Sequence, residues 1–155
     1  MNELPFSPRI DRTYPKPKLI LPPGSCDCHF HFIGPQNQFP LLENHVFSHL
    51  QFEDTTFSDW ETMQDGLGLS RGLHVQSMMY GRNYEIALHA QCRYPNRLRT
   101  VVNLPWDEIT DHELTILTES GIVGARVSWR IEKNLNSRMI DRLTDFGWSI
   151  NLIKE

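Results

Sequence analysis

Cys26-Asp27-Cys28-His29-Phe30-His31-Phe32, followed at once by Ile33-Gly34-Pro35, is the stretch whose reading decides the fold. Successive side chains of an extended chain point to opposite sides. Plain alternation therefore puts Asp27, His29 and His31 in one column and Cys26, Cys28, Phe30 and Phe32 on an opposing packed face. Gly34-Pro35 ends the strand just beyond His31. Two histidines at i and i+2 near a strand's C-terminal tip can both reach one metal ion, one water or one substrate carbonyl. A doubly wound nucleotide fold places a Gly-rich turn after its first strand, whereas here His-Phe-His leads into a long loop. Catalytic groups at C-terminal strand tips are the habit of the (β/α)8 barrel.

The rest of the chain repeats one unit. Thr56 opens a helix with Asp59 completing a capping box, and Phe57, Trp60, Met63 and Leu67 share its apolar face up to Gly66 and Gly68. The apolar run Leu73 to Met79 reads as a strand, and a helix from Asn83 is stopped by Pro95. Leu98 to Leu104 is the third strand, followed by a helix capped by Thr110 and Glu113 that ends at Gly121. Ile122 to Val127, a helix over Ser137 to Phe146 and a strand from Trp148 to Ile153 complete the pattern. Strands two to five start near residues 73, 98, 123 and 148, a spacing of about 25 that suits a strand, a turn and a three-turn helix. The expected fold is α/β, a TIM (β/α)8-type barrel that is incomplete, with about five β/α units where such a barrel has eight strands in roughly 250 residues. The 155 residues divide into a Pro-rich N-terminal arm, 1–24, and a barrel portion, 25–155. The chain then reads as truncated, or as completed by another polypeptide.

Composition excludes some partners. A net charge of −4 with no Lys/Arg cluster offers no field for a nucleic-acid backbone. The arm's longest apolar run is Leu19-Ile20-Leu21, too short for a membrane span or signal peptide. Three cysteines, with Cys26 and Cys28 too close for an ordinary structural bridge, fit a reducing cytoplasm.

The segment Leu21 to Pro35, with Phe39-Pro40, resembles the start of the metal-dependent hydrolase (amidohydrolase) superfamily, and within it the 2-pyrone-4,6-dicarboxylate lactonase-like group. Val75-Gln76-Ser77, Tyr80-Gly81, Leu98-Arg99 and Gly124-Ala125-Arg126 carry the resemblance onward in order, over about residues 18 to 153. It implies a barrel whose His29 and His31 lie beside the reacting carbonyl, polarising it directly or through a divalent metal, zinc first, with no metal required in the lactonase group. It also implies that Arg126 and Arg130 hold the substrate's carboxylate and that an Asp on the last strand acts as base, a position this chain does not reach. Where the group's first loop carries Arg-x-Tyr, this chain has His45-Val46-Phe47, without guanidinium or phenol. Met78 stands where the group often has Ser.

The expected function is hydrolysis of a lactone or related carboxylate-bearing C–O or C–N bond. His29 and His31 would be catalytic, and Arg126, Arg130, Ser77 and Tyr80 would bind substrate. Asp27 would orient a histidine ring from the same strand face. The bland readings stand beside these: a hydrogen-bonded histidine pair, a buried structural Asp27, a salt-bridged Arg126, a solvated Arg130. A zinc site using Cys26 and Cys28 is set aside because alternation turns both sulfurs away from the imidazoles. Trp60, Trp106, Trp129 and Trp148 read as packing anchors. The rival function is a non-catalytic remnant, or one half of a split barrel.

Overall fold

A computed structural model of the protein describes residues 5–7, 11–14, 16–105, 108–128 and 137–153. Five parallel strands, β1 (Cys26–Phe30), β2 (Arg71–Val75), β3 (Leu98–Asn103), β4 (Ile122–Ser128) and β5 (Ser149–Ile153), form one sheet in sequence order. Helices α1 (Phe57–Leu67), α2 (Glu85–Arg93), α3 (Asp111–Glu119) and α4 (Ser137–Asp145) connect them. A parallel crossover is right-handed in nearly all proteins. Sequential strand order therefore puts every connecting helix on the same face, and the sheet curls like part of a barrel. A doubly wound sheet would reverse its order at a switch point, and this one does not.

Local chemistry sets the helix ends. Thr56 and Asp59 form the capping box of α1, and Gly68, at φ 73°, supplies the left-handed residue that closes it. Thr110 and Glu113 cap α3 in the same way. A cap of this kind contributes about 1 kcal/mol. The helix-facing side of the sheet holds two apolar clusters. One gathers Phe32, Trp60, Tyr80, Ile86 and Leu98 under α1 and α2; the other gathers Val102, Leu114, Ala125, Leu143 and Trp148 under α3 and α4. Phe30 stacks on Trp60 with centroids 5.3 Å apart, and Gly72 makes room for them, since a Cβ there would lie 2.7 Å from the Phe30 ring. Trp60 and Trp148 are thus anchors as expected, while Trp106 and Trp129 lie outside the described residues.

The first strand departs from plain alternation. Asp27 pairs with Gly72 and Phe30 with His74, so Cys28 and His29 together stand opposite Leu73 alone. This is a β-bulge, in which two residues of one strand face one of the other. Its effect is to flip the phase of the strand. Asp27 reaches Gln64 on α1, and Phe30 and Phe32 pack with Trp60 on the helix side. Cys26 and Cys28 are exposed and line a recess with Arg71, Leu73 and Arg99 on the open side. The expected division into one Asp/His column and one Cys/Phe face is therefore wrong on both counts for the residues before the bulge.

The described part of the arm is pinned down. Phe6 bridges Gln51, and the Arg12 guanidinium contacts Glu53 at 3.2 Å and Asp59 at 2.9 Å. No helix among the described residues is long and apolar enough to cross a membrane.

Candidate active site at the strand tips

At the C-terminal ends of β1, β2 and β4 lies a cavity of about 680 Å³, lined in part by His31, Ser77, Met78 and Arg126. The loop between β1 and α1 closes one side with Val46, Phe47, Phe52 and Thr55. The bulge changes only the facing of the residues before it; from His29 onward plain alternation puts His29 and His31 together on the open side. Their rings meet edge to face, with centroids 5.1 Å apart. His29 is exposed and His31 is half-buried.

Nδ1 of His31 lies 2.5 Å from the carbonyl oxygen of Val75. A carbonyl only accepts, so Nδ1 carries the proton and the neutral ring turns a lone pair outward at Nε2. Burial is the largest influence on this ring and holds its pKa below the ordinary 6.5; the Val75 bond pulls the other way, and the charges of Arg126 and His29 lower it further. The neutral form therefore prevails at pH 7. An outward lone pair can take a proton from water or ligate a metal, but cannot donate a hydrogen bond to a carbonyl.

Asp27 does not orient an imidazole. Its Oδ1 accepts from the backbone N–H of His29 at 3.1 Å, and its Oδ2 accepts from Gln64 Nε2 at 3.2 Å. The carboxylate fixes the bulge and, through it, the backbone that carries both histidines. Arg126, half-buried on β4, donates from Nη1 to the backbone carbonyl of Gln76 at 3.0 Å. Gln76 is a residue whose part sequence reasoning missed. Fully buried, it accepts from Asn103 N–H at 3.0 Å and donates from Nε2 to Asn83 O at 2.5 Å. Asn103 in turn donates to Ser77 O at 3.0 Å. The only signal was Gln76's place in a motif just past a strand.

Of the other expected binding residues, Ser77 lines the cavity, and its Oγ accepts from Met79 N–H at 3.3 Å. Tyr80 goes elsewhere. It is 1% exposed in the apolar cluster under α2, and its hydroxyl accepts from Gly34 N–H at 3.0 Å. A short helical turn at Met78–Tyr80 carries its ring off the open side, so it supports the strand-end loop and does not line the cavity. Arg130 lies outside the described residues.

A metal is a weak match to these residues. The 5.1 Å ring separation suits two imidazoles on one tetrahedral ion, but a catalytic zinc takes three protein ligands. Among the described residues no group of three or more His, Cys, Asp or Glu converges, and Asp27 points to Gln64. No step is derived through a metal.

No protein-family model matches the sequence. Among curated proteins the chain is 27% identical over 142 residues to 4-sulfomuconolactone hydrolase of Hydrogenophaga intermedia, covering 87% of this chain and 46% of that one. It is 28% identical over 147 residues to 2-pyrone-4,6-dicarboxylate hydrolase of Comamonas testosteroni, covering 87% and 45%. Among solved structures it resembles a probable 2-pyrone-4,6-dicarboxylic acid hydrolase from Acinetobacter baumannii with citric acid bound, at TM-score 0.71 and 23% identity over 83% of this chain and 49% of that one. An apo structure from Agrobacterium tumefaciens matches at TM-score 0.65 and 18% identity over 92% and 50%. The structural likenesses establish the fold. The homologues by sequence are lactone hydrolases, and the chain spans about half the length of the curated relatives it matches.

Proposed function

We propose that the described residues form one wall of the active site of a lactone hydrolase of the amidohydrolase type, built on a (β/α)8 barrel of the relatives' length. The observation that carries this reading is that His31, with its acceptor nitrogen outward, and Arg126 line one cavity at the strand tips. Arg126 pairs with a carboxylate of the substrate. A water placed between His31 and the lactone carbonyl attacks the carbonyl carbon and passes its proton to Nε2. The ring C–O bond then breaks as Nε2 returns that proton to the leaving oxygen, giving a hydroxyl and a carboxylic acid that ionises to the carboxylate. His29, beside His31 on the open side, donates to the oxyanion as it forms. Among the described residues that line the cavity none is Asp or Glu, so the imidazole is the base of this wall.

The substrate is a small carboxylate-bearing molecule. Exposed, unbridged Cys26, Cys28 and Cys92 support a reducing, cytoplasmic setting. The test is titrimetric: purified protein is given lactones bearing a carboxylate, and acid release is followed at constant pH. His31→Asn is expected to lower kcat by about 10²- to 10⁴-fold. Absence of turnover with every such lactone, or full activity in H31N, would overturn the reading.

A further inference from the structure

The cavity's lining also says which lactones fit. Resting on the lactonase reading above, we infer that the site selects a lactone carrying one carboxylate and an apolar substituent over a lactone dicarboxylate. Among the described residues that line the cavity, Arg126 is the single Lys or Arg, and one guanidinium matches one carboxylate. The facing wall is apolar: Val46, Phe47 and Phe52 from the loop, with Ile33 and Met78 beside them. Val46 is 62% exposed and Phe47 47% exposed, although both border the cavity. Phe47 stands edge-on to Phe52 at 6.3 Å, so the two rings form one surface. A substrate's alkyl or aryl group would cover that surface, and its desolvation drives binding. A second carboxylate placed there would lose water against phenyl rings with no further Lys or Arg among the described lining residues to receive it. The hydroxyls nearby, Thr55 Oγ1, which accepts from Ile33 N–H at 2.6 Å, and Ser77 Oγ, which accepts from Met79 N–H, offer one O–H each but no positive charge.

One homologue is a 2-pyrone-4,6-dicarboxylate hydrolase, whose substrate bears two carboxylates.

The experiment compares two probes, 2-pyrone-4,6-dicarboxylate and a 2-pyrone-6-carboxylate bearing a propyl group at position 4. Binding is measured by calorimetry and turnover by loss of pyrone absorbance, on the purified protein and on Phe47→Arg. The expected result is that the alkyl monocarboxylate binds at least tenfold more tightly, and that F47R narrows or reverses the preference. Phe47 is an exposed loop residue, and a circular dichroism melt checks that F47R stays folded. Tighter binding of the dicarboxylate by the unaltered protein overturns the inference, even where hydrolysis is seen and the lactonase reading stands. Tenfold preference for the monocarboxylate without turnover upholds the ligand class and sinks the lactonase reading. An unchanged preference in F47R assigns selectivity elsewhere and overturns the role of this wall.

Discussion

Arg126 on β4 reaches past β3 to the end of β2, where its Nη1 donates to the Gln76 carbonyl at 3.0 Å. A strand-borne cation is thus oriented by a backbone group two strands away. Lys has a single charged centre and cannot span that distance while also presenting a planar fork. Arg126→Lys is therefore expected to raise KM for a carboxylate lactone by about tenfold or more, with a smaller change in kcat. Steady-state kinetics would separate the two; an effect on kcat alone contradicts the assignment.

Gln76 holds the receiving end of that bond. Gln76→Ala strands the N–H of Asn103 and the carbonyl of Asn83, both half-buried, beside the space left by a fully buried side chain, and each group left unsatisfied costs about 1–3 kcal/mol. Urea unfolding should show a loss of at least about 2 kcal/mol. A change within a few tenths would mean the clamp carries no load.

His31 offers a direct spectroscopic check. Its pKa is held below the ordinary value by burial and, in part, by Arg126. Nitrogen-15 titration should place its midpoint below 6.5, with the proton on Nδ1 in the neutral ring. Arg126→Leu should move the midpoint upward. The acid limb of kcat/KM should follow the same midpoint, because only the neutral ring accepts water's proton. A ring protonated at Nε2 when neutral contradicts the proposed role.

His74 sets the response to acid. It is fully buried between Phe30 and Phe32, with centroids 5.7 and 4.9 Å away, and neither ring nitrogen has a hydrogen-bond partner among the described residues. Burial, with a smaller contribution from His31, pushes its pKa down to about 3. The unfolded chain takes up this proton near the ordinary 6.5, well before the folded one does. Stability is therefore full above about pH 6.5 and falls as pH drops towards 3, by up to about 1.4 kcal/mol per pH unit from this group. His74→Phe should flatten that slope between pH 6 and 4 in denaturant titrations, and an unaltered slope would show that another group governs it.

The thiols test the strand's facing. Cys26 and Cys28 should both react with maleimide in the native protein, as Cys92 on α2 should, since all three are exposed. Protection of Cys26 and Cys28 until unfolding would restore the sequence's simple alternation.

Much of the architecture was legible from local signals. Thr56/Asp59 and Thr110/Glu113 marked two helix starts that the structure repeats to the residue, because a capping box is a contact within four residues. The strands at Leu98 and Ile122 were equally plain, being short apolar runs between turns. The sequence also placed Arg126 on a strand and His31 at a tip. It could not show the bulge, since the extra residue is defined only by what stands opposite it on β2. Nor could it show that Tyr80 turns to Gly34, that Asp27 turns to Gln64, or that Gln76 ties three segments together, because each depends on a partner distant in sequence.

The same bulge bears on how this strand can change length through evolution. An insertion of one residue would ordinarily invert the facing of everything downstream, turning imidazoles into the helix layer and phenyl rings into solvent. Here the surplus is absorbed at Cys28-His29 opposite Leu73, so Phe30 and His31 keep their orientations whether or not the extra position is present. Deleting Cys28 should therefore leave a regular strand with both imidazoles still on the open side, and chains with and without that residue can share one placement of the histidine pair.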